Sequence, residues 1–269
     1  MCELLALSSS TPARLTFSLH TLAARGGPQG NTHDGWGVAF YQGRDAALFR
    51  EPTAAGDSAL VRFLETSGPA TNLAISHIRH ATRGSLALAN TQPFARELGG
   101  RTHIFAHNGD LPGIYGSSAL LLGNFRLVGE SDSEHAFCAL LARLSPLWMG
   151  VGVPSLQARL SVLADFSAEL RALGPANFLY ADGDTLFVHG HRRVQQASGR
   201  IEAPGLWRRQ QHCTPADSAP THRDGVSIAP ARRSVIWVTS VPFADEGWLA
   251  LGEGELLAVR NGSVLASGD

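Results

Sequence analysis

The sequence predicts an α+β fold of stacked layers on three grounds: strand-like runs at both ends, two helical stretches between them, and tight polar turns inside the runs. Residues 2–7 can begin as a strand. Pro12 after Ser10-Thr11 reads as the first turn of a helix, with Leu15, Leu19 and Leu22 on one face and Gly26-Gly27 ending it. Residues 36–41 and 46–50 read as a hairpin across Gln42-Gly43-Arg44. Asp57 can cap a helix carrying Leu60, Phe63 and Leu64. Residues 72–79 alternate as a strand, and 103–106 resemble a short buried one. Ser131-Asp132-Ser133-Glu134 is a capping box, followed at helical spacing by Phe137, Leu140, Leu141 and Leu144 and closed by Pro146. A second helix spans about 155–173, with Leu156, Leu160, Leu163 and Leu170 on one stripe. Residues 177–181 and 185–190 form a hairpin about Asp182-Gly183. Residues 214–230 hold Pro215, Pro220 and Pro230 with few apolar neighbours and read as a surface loop. Strands return at 235–241 and 256–265, the latter turning at Asn261-Gly262.

Composition narrows the function. Of 269 residues, 44% are hydrophobic, which supplies a sizeable core, and 17% are charged against a typical ~25%. The 22 basic and 23 acidic residues leave no basic excess for nucleic acid. No apolar run approaches the ~18 to 20 residues of a membrane span. The opening Met1-Cys2-Glu3-Leu4-Leu5 lacks the basic segment of a signal peptide, so the cytoplasm is expected. The chain contains no lysine, which excludes a P-loop lysine, a kinase lysine, a pyridoxal phosphate Schiff base and a lysine-based aldolase. The three cysteines, Cys2, Cys138 and Cys213, form no Cys-x-x-Cys pair, so neither a zinc knuckle nor a disulfide framework is expected.

Cys2 directly follows the initiator methionine. Removal of Met1 would make it the chain terminus, setting a thiol of pKa near ~8.5 beside an α-amine of pKa near ~8. Such an amine can act as general base for its own side chain. Three further segments supply complementary chemistry. Arg79 ends an apolar strand, Asn108-Gly109 ends another, and Asp132 lies in the first turn of the capped helix. Together they bring a planar cation, an amide donor with a free backbone N–H, and a carboxylate. A metal centre is not expected. His77 and His80 face opposite sides of a strand, and His103 and His107 would stand ~13 Å apart. His189 and His191 share a face without an evident third ligand. Cys138 reads as an inert packed thiol, while Cys213 has no assignable role.

These residues resemble the class II glutamine amidotransferases, whose glutaminase domain is an N-terminal-nucleophile hydrolase. The resemblance rests on Cys2, Asp34-Gly35-Trp36-Gly37, the segment from Arg79 to Ala81-Thr82, Asn90-Thr91-Gln92-Pro93-Phe94, His107-Asn108-Gly109 and Ser131-Asp132-Ser133-Glu134. Order and spacing agree over residues 1–190. The resemblance implies a single domain over 1–269, a four-layer αββα sandwich that strands within 234–266 complete beyond the 214–230 loop. It implies that Cys2 attacks the γ-carboxamide of glutamine, giving a thioester and ammonia. Asn108 and the Gly109 N–H would form the oxyanion hole, Arg79 would clamp the α-carboxylate, and Asp132 would pair with the α-ammonium. Thr82, Trp36 and Gly37 would complete the substrate site, and no cofactor or metal is implied.

One departure is His80, at a position where many members carry an aromatic ring. Better-known relatives continue into a synthase domain, whereas the 80 or so residues beyond the match read as strands and a loop. The implied partner is glutamine or another γ-glutamyl small molecule, with a separate synthase subunit receiving the ammonia in the amidotransferase case. Two alternatives stay open: hydrolysis of other γ-glutamyl bonds, as in ergothioneine biosynthesis or glutathione degradation, and a non-catalytic γ-glutamyl-binding domain.

Overall fold

Strand β1 (Glu3–Phe17) opens the chain and takes a central place in the largest of three sheets. In chain order there follow β2 (Trp36–Gln42), β3 (Asp45–Glu51), helix α1 (Ala59–Ser67), β4 (Ala70–Ile78), β5 (Phe94–Leu98) and β6 (Arg101–Gly109). Helices α2 (Asp132–Leu144) and α3 (Leu156–Leu173) come next, then β7 (Ala176–Ala181) and β8 (Leu186–His189). The chain continues through β9 (Arg193–Val194), β10 (Ile201–Glu202), β11 (Trp207–Cys213), β12 (Val226–Ile228), β13 (Arg233–Thr239), β14 (Leu249–Ala250), β15 (Leu256–Arg260) and β16 (Ser263–Gly268). This computed structural model describes residues 2–17, 34–80, 84–214, 226–228, 232–243 and 246–268.

The first sheet runs β14-β11-β13-β1-β4-β2-β3, with β12 pairing β1; the second runs β16-β15-β8-β7-β6-β5, and β9 and β10 pair as a small third. Three apolar layers fill the gaps. Leu5, Leu7, Trp36, Val38 and Phe40 pack under α1 residues Val61 and Leu64. Leu4, Ala6, Ala39, Ile104, Ala106 and Leu179 fill the space between the sheets. Phe105, Phe178 and Tyr180 meet Phe137, Leu140, Leu163 and Phe166 of α2 and α3. Alternate residues of β1 and β6 thus serve opposite faces, and the layers stack as αββα. Phe105 anchors the last layer, stacked on Phe137 at 5.4 Å between ring centroids. Among the described residues no helix is long and apolar enough to cross a membrane.

Most expected elements form, and four expectations change. The helix expected from Pro12 is strand as far as Phe17, and its remainder lies outside the described residues. Pairing decides this: Ala13 and Arg14 pair with Thr71 and Ala70 of β4, while Leu15 and Phe17 pair with Ile228 and Val226 of β12. Ladder bonds to these strands outweigh a short helical spacing. For the same reason residues 226–228, expected in a loop, are a strand; residues 215–225 and 229–230 of that loop lie outside the described residues. Helix α1 is capped by Ser58, not Asp57, because the Ser58 hydroxyl accepts the Val61 N–H at 3.0 Å. At α2, Ser131 accepts the Glu134 N–H at 3.1 Å, but the Glu134 carboxylate does not complete the box. It accepts instead from Val128 and Gly129 at 3.0 and 2.8 Å and pairs with Arg96, fastening the segment before the helix.

Two core histidines tie stability to pH. Burial is the main cause that drops both His77 and His189 from an ordinary 6.5 to about 3; His107 and Arg79 add to it at His77, and Arg171 at His189. Their folded values lie below the unfolded value, so below pH 6.5 the unfolded chain binds the extra protons. Stability is therefore full above that value and is lost as pH falls toward 3. Urea unfolding at pH 7 and pH 5 is expected to show a loss of about 1–2 kcal/mol per histidine. Equal midpoints would refute the neutral core assignment.

Candidate active site at the ends of β1, β4 and β6

The start of β1 and the ends of β4 and β6 approach one another, and the sequence folds so that each delivers one polar residue there. Glu3 pairs with Ile78 across β1 and β4, which sets Cys2 beside the residues that follow Ile78. The His80 N–H donates to Cys2 Sγ at 3.3 Å, and Sγ lies 3.4 Å from the His80 carbonyl oxygen. Burial pushes the Cys2 thiol above its ordinary pKa, with the His80 N–H and Arg79 pulling the other way. Its thiolate therefore needs a nearby proton acceptor to form at neutral pH.

Asn108 reaches Cys2 from the second sheet. Its Nδ2 donates to the Cys2 carbonyl oxygen at 2.7 Å and stands 3.5 Å from Ser240 Oγ. The Asn108 carbonyl in turn accepts from Asn177 Nδ2 at 3.1 Å, so β7 fixes the backbone at this point. Gly109 is exposed beside it, and a Cβ there would lie 1.8 Å from the Pro175 carbonyl oxygen. The chain can pass Pro175 this closely only without a side chain.

Arg79 is 5% exposed. Its Nη1 donates to the Ser85 carbonyl at 3.1 Å and its Nη2 to the Gly84 carbonyl at 3.3 Å, while its backbone N–H donates to Gly35 at 2.8 Å. Asp132, also buried, opens α2, where a helix N-terminus favours a carboxylate. Its Oδ2 accepts the Leu111 N–H at 2.9 Å and its Oδ1 the Ser133 N–H at 2.7 Å. Leu111 lies just beyond Asn108-Gly109, so one short segment links the amide donor to the carboxylate. Ser133 Oγ continues from Asp132 to His107 Nδ1 at 2.9 Å, and burial holds His107 below its ordinary pKa.

The structure thus brings Cys2, Asn108, Gly109, Arg79 and Asp132 into one neighbourhood. Thr82 lies outside the described residues. Two other residues expected at the substrate site have packing partners. Trp36 is fully buried in the layer beneath α1, where its Nε1 donates to Glu51 at 3.1 Å. Its side chain packs with Leu5 and Phe40, because β2 turns alternate residues outward. Gly37 is a packing point: a Cβ would lie 2.4 Å from the Gln92 carbonyl oxygen and 2.9 Å from Pro93. The half-exposed His80 ring has Nδ1 4.0 Å from Asp34, so this position meets Cys2 through backbone and not through a ring. Cys138 is buried within α2, and burial raises its thiol pKa.

Several contributors carried no sequence signal. Ser240 accepts the Leu4 N–H at 3.0 Å from 236 residues away. Arg193 is bonded to Glu3 at 3.0 Å and to the Ser240 carbonyl, holding the strand behind Cys2. Burial raises the Glu3 carboxyl while Arg193 opposes it. Gln92 belongs to the Asn90-Thr91-Gln92-Pro93-Phe94 motif. Its side chain accepts the His107 N–H at 2.6 Å and donates to the His107 carbonyl at 3.2 Å, copying a strand pair.

The chain as a whole is similar to known proteins. The Escherichia coli (strain K12) protein named "Putative glutamine amidotransferase YafJ" is 40% identical over 183 residues, 68% of this chain and 70% of that one. A Haemophilus influenzae protein named "Putative glutamine amidotransferase" is 28% identical over 274 residues, covering 99% of this chain and 86% of its own. The solved structure of a "predicted glutamine amidotransferase" from Pseudomonas aeruginosa matches with TM-score 0.68 and 30% identity, over 98% of this chain and 100% of that one. The glutamine phosphoribosylpyrophosphate amidotransferase of B. subtilis shares the fold at TM-score 0.57 and 18% identity, over 99% of this chain and 49% of its own. The family model for class-II glutamine amidotransferases matches residues 1–269, and the chain belongs to that family.

Proposed function

We propose that this chain hydrolyses the γ-carboxamide of glutamine through a thioester on Cys2 and releases ammonia for transfer. The observation that carries the reading is the 2.7 Å contact between Asn108 Nδ2 and the Cys2 carbonyl, which holds an amide donor next to the sulfur-bearing residue.

Loss of Met1 leaves the α-amine of Cys2 beside its own thiol. The amine takes the thiol proton as sulfur attacks the carboxamide carbon, which answers the burial that raises the thiol. The oxygen of the tetrahedral adduct gains negative charge and is met by Asn108 Nδ2 and the Gly109 N–H. The amine then gives its proton to the departing nitrogen, ammonia leaves, and a γ-glutamyl thioester remains. Water attacks that thioester, the thiol is restored and glutamate departs. Arg79 holds the α-carboxylate with its fork of donors, and Asp132 holds the α-ammonium. Both are buried, so a ligand lacking either group leaves a buried charge less well compensated, which favours an amino acid over a plain amide. A γ-glutamyl peptide presents the same half to these groups, and only the leaving group differs.

Cys2→Ala is expected to lower glutamate release from glutamine at least ~1000-fold with an unchanged unfolding midpoint. Wild-type rates in that variant would eliminate the mechanism, while release only from γ-glutamyl peptides by the wild type would reassign the leaving group. Arg79→Ala is expected to cut kcat/KM for glutamine about 10- to 100-fold, chiefly through KM. An unaltered rate at subsaturating glutamine would remove Arg79 from the substrate site.

A further inference from the structure

Asn90 is 3% exposed and stands between the two charged residues assigned to the substrate. Its Nδ2 donates to the Ser85 carbonyl at 3.1 Å, the same oxygen that accepts from Arg79 Nη1 at 3.1 Å. Nδ2 also lies 3.3 Å from Ser85 Oγ. On its other side, Asn90 Oδ1 accepts the Glu130 N–H at 2.7 Å, two residues before Asp132. The fit there is close: a Cβ on Gly129 would lie 2.3 Å from Asn90 Oδ1 and 2.7 Å from the Ala89 carbonyl oxygen. With Glu134 accepting from Val128 and Gly129, three successive amides before α2 are held by two side chains. One amide side chain therefore joins the Ser85 carbonyl that receives Arg79 to the lead-in of Asp132.

We propose that Asn90 is a positioning residue that sets the spacing between Arg79 and Asp132, and so makes the site select a substrate carrying both an α-carboxylate and an α-ammonium. It touches no reacting atom. A planar amide suits the task because its two ends differ: the donor end serves a carbonyl and the acceptor end serves an N–H. Asn90 itself is buried, so either end of its amide is costly to leave without a partner. The proposal rests on the reading of Arg79 and Asp132 as the glutamine clamp.

The test uses the full chain and two carboxamides, L-glutamine and glutaramate, which keeps the terminal carboxylate and lacks the α-ammonium. Ammonia release gives kcat and KM for each. Asn90→Ala removes both bonds and is expected to reduce the glutamine-over-glutaramate preference at least ~10-fold, with KM carrying the change and kcat for glutamine held within about 3-fold. Asn90→Asp keeps an acceptor for Glu130 and loses the donor to Ser85. It is expected to raise KM for both substrates alike, because both use the Arg79 half, while the preference is retained. A merely structural role would instead lower both substrates by one factor in Asn90→Ala, and that result overturns the proposal, as does an unchanged preference. Should Asn90→Ala not fold, unchanged KM values in Asn90→Asp overturn it. A wild type that releases ammonia from glutamine with no preference over glutaramate refutes the clamp, and Asn90's role with it. A wild type inactive on both refutes the proposed reaction itself.

Discussion

The site depends on one hydrogen bond between the two sheets, from Asn108 Nδ2 to the Cys2 carbonyl. It is short, it is partly buried, and it joins the start of one sheet's central strand to the end of a strand in the other. Everything behind it is arranged to hold those two ends in place. Glu3, Arg193 and Ser240 fix the strand that carries Cys2. Asn177 and the absent side chain of Gly109 fix the strand that carries Asn108. A bond partly withdrawn from water is costlier to lose than the same bond in solvent, so the junction also ties the two sheets together at this end.

The electrostatics follow from burial. Cys2, Glu3 and His107 all pay a desolvation penalty that disfavours their charged forms, while Arg79 is received by backbone carbonyls and Asp132 by backbone N–H groups. Fixed backbone dipoles thus orient both clamp groups. Within the proposed reaction this leaves the thiol as the group that must lose a proton, and the adjacent amine as the group placed to accept it.

Much of this was legible in the sequence because it is local. The serine cap and the apolar spacing of α2, the long stripe of α3 and the polar two-residue turns depend on neighbours within a few residues, and they form as expected. Cys2, Arg79, Asn108-Gly109 and Asp132 were found from residue types at strand ends and a helix start. What stayed hidden is long-range. Residues 12–17 are strand because β4 and β12 pair with this part of β1, which no window around Pro12 contains. Trp36 and Gly37 stood in a motif suggestive of substrate, yet the alternation of β2 buries one beneath α1 and presses the other against Gln92. Ser240 and Asn90 act through backbone groups far away in sequence, so their roles emerge only once the sheets are assembled.

The central claim is that a freed terminal cysteine is the nucleophile. The most direct measurement treats the wild-type protein with a glutamine analogue bearing an electrophilic ketone in place of the carboxamide, then maps the adduct by peptide mass spectrometry. The expected result is one modification, on a Cys2 that begins the chain after loss of Met1. Active protein that retains Met1, or an adduct on Cys138, Cys213 or any other side chain, would contradict it.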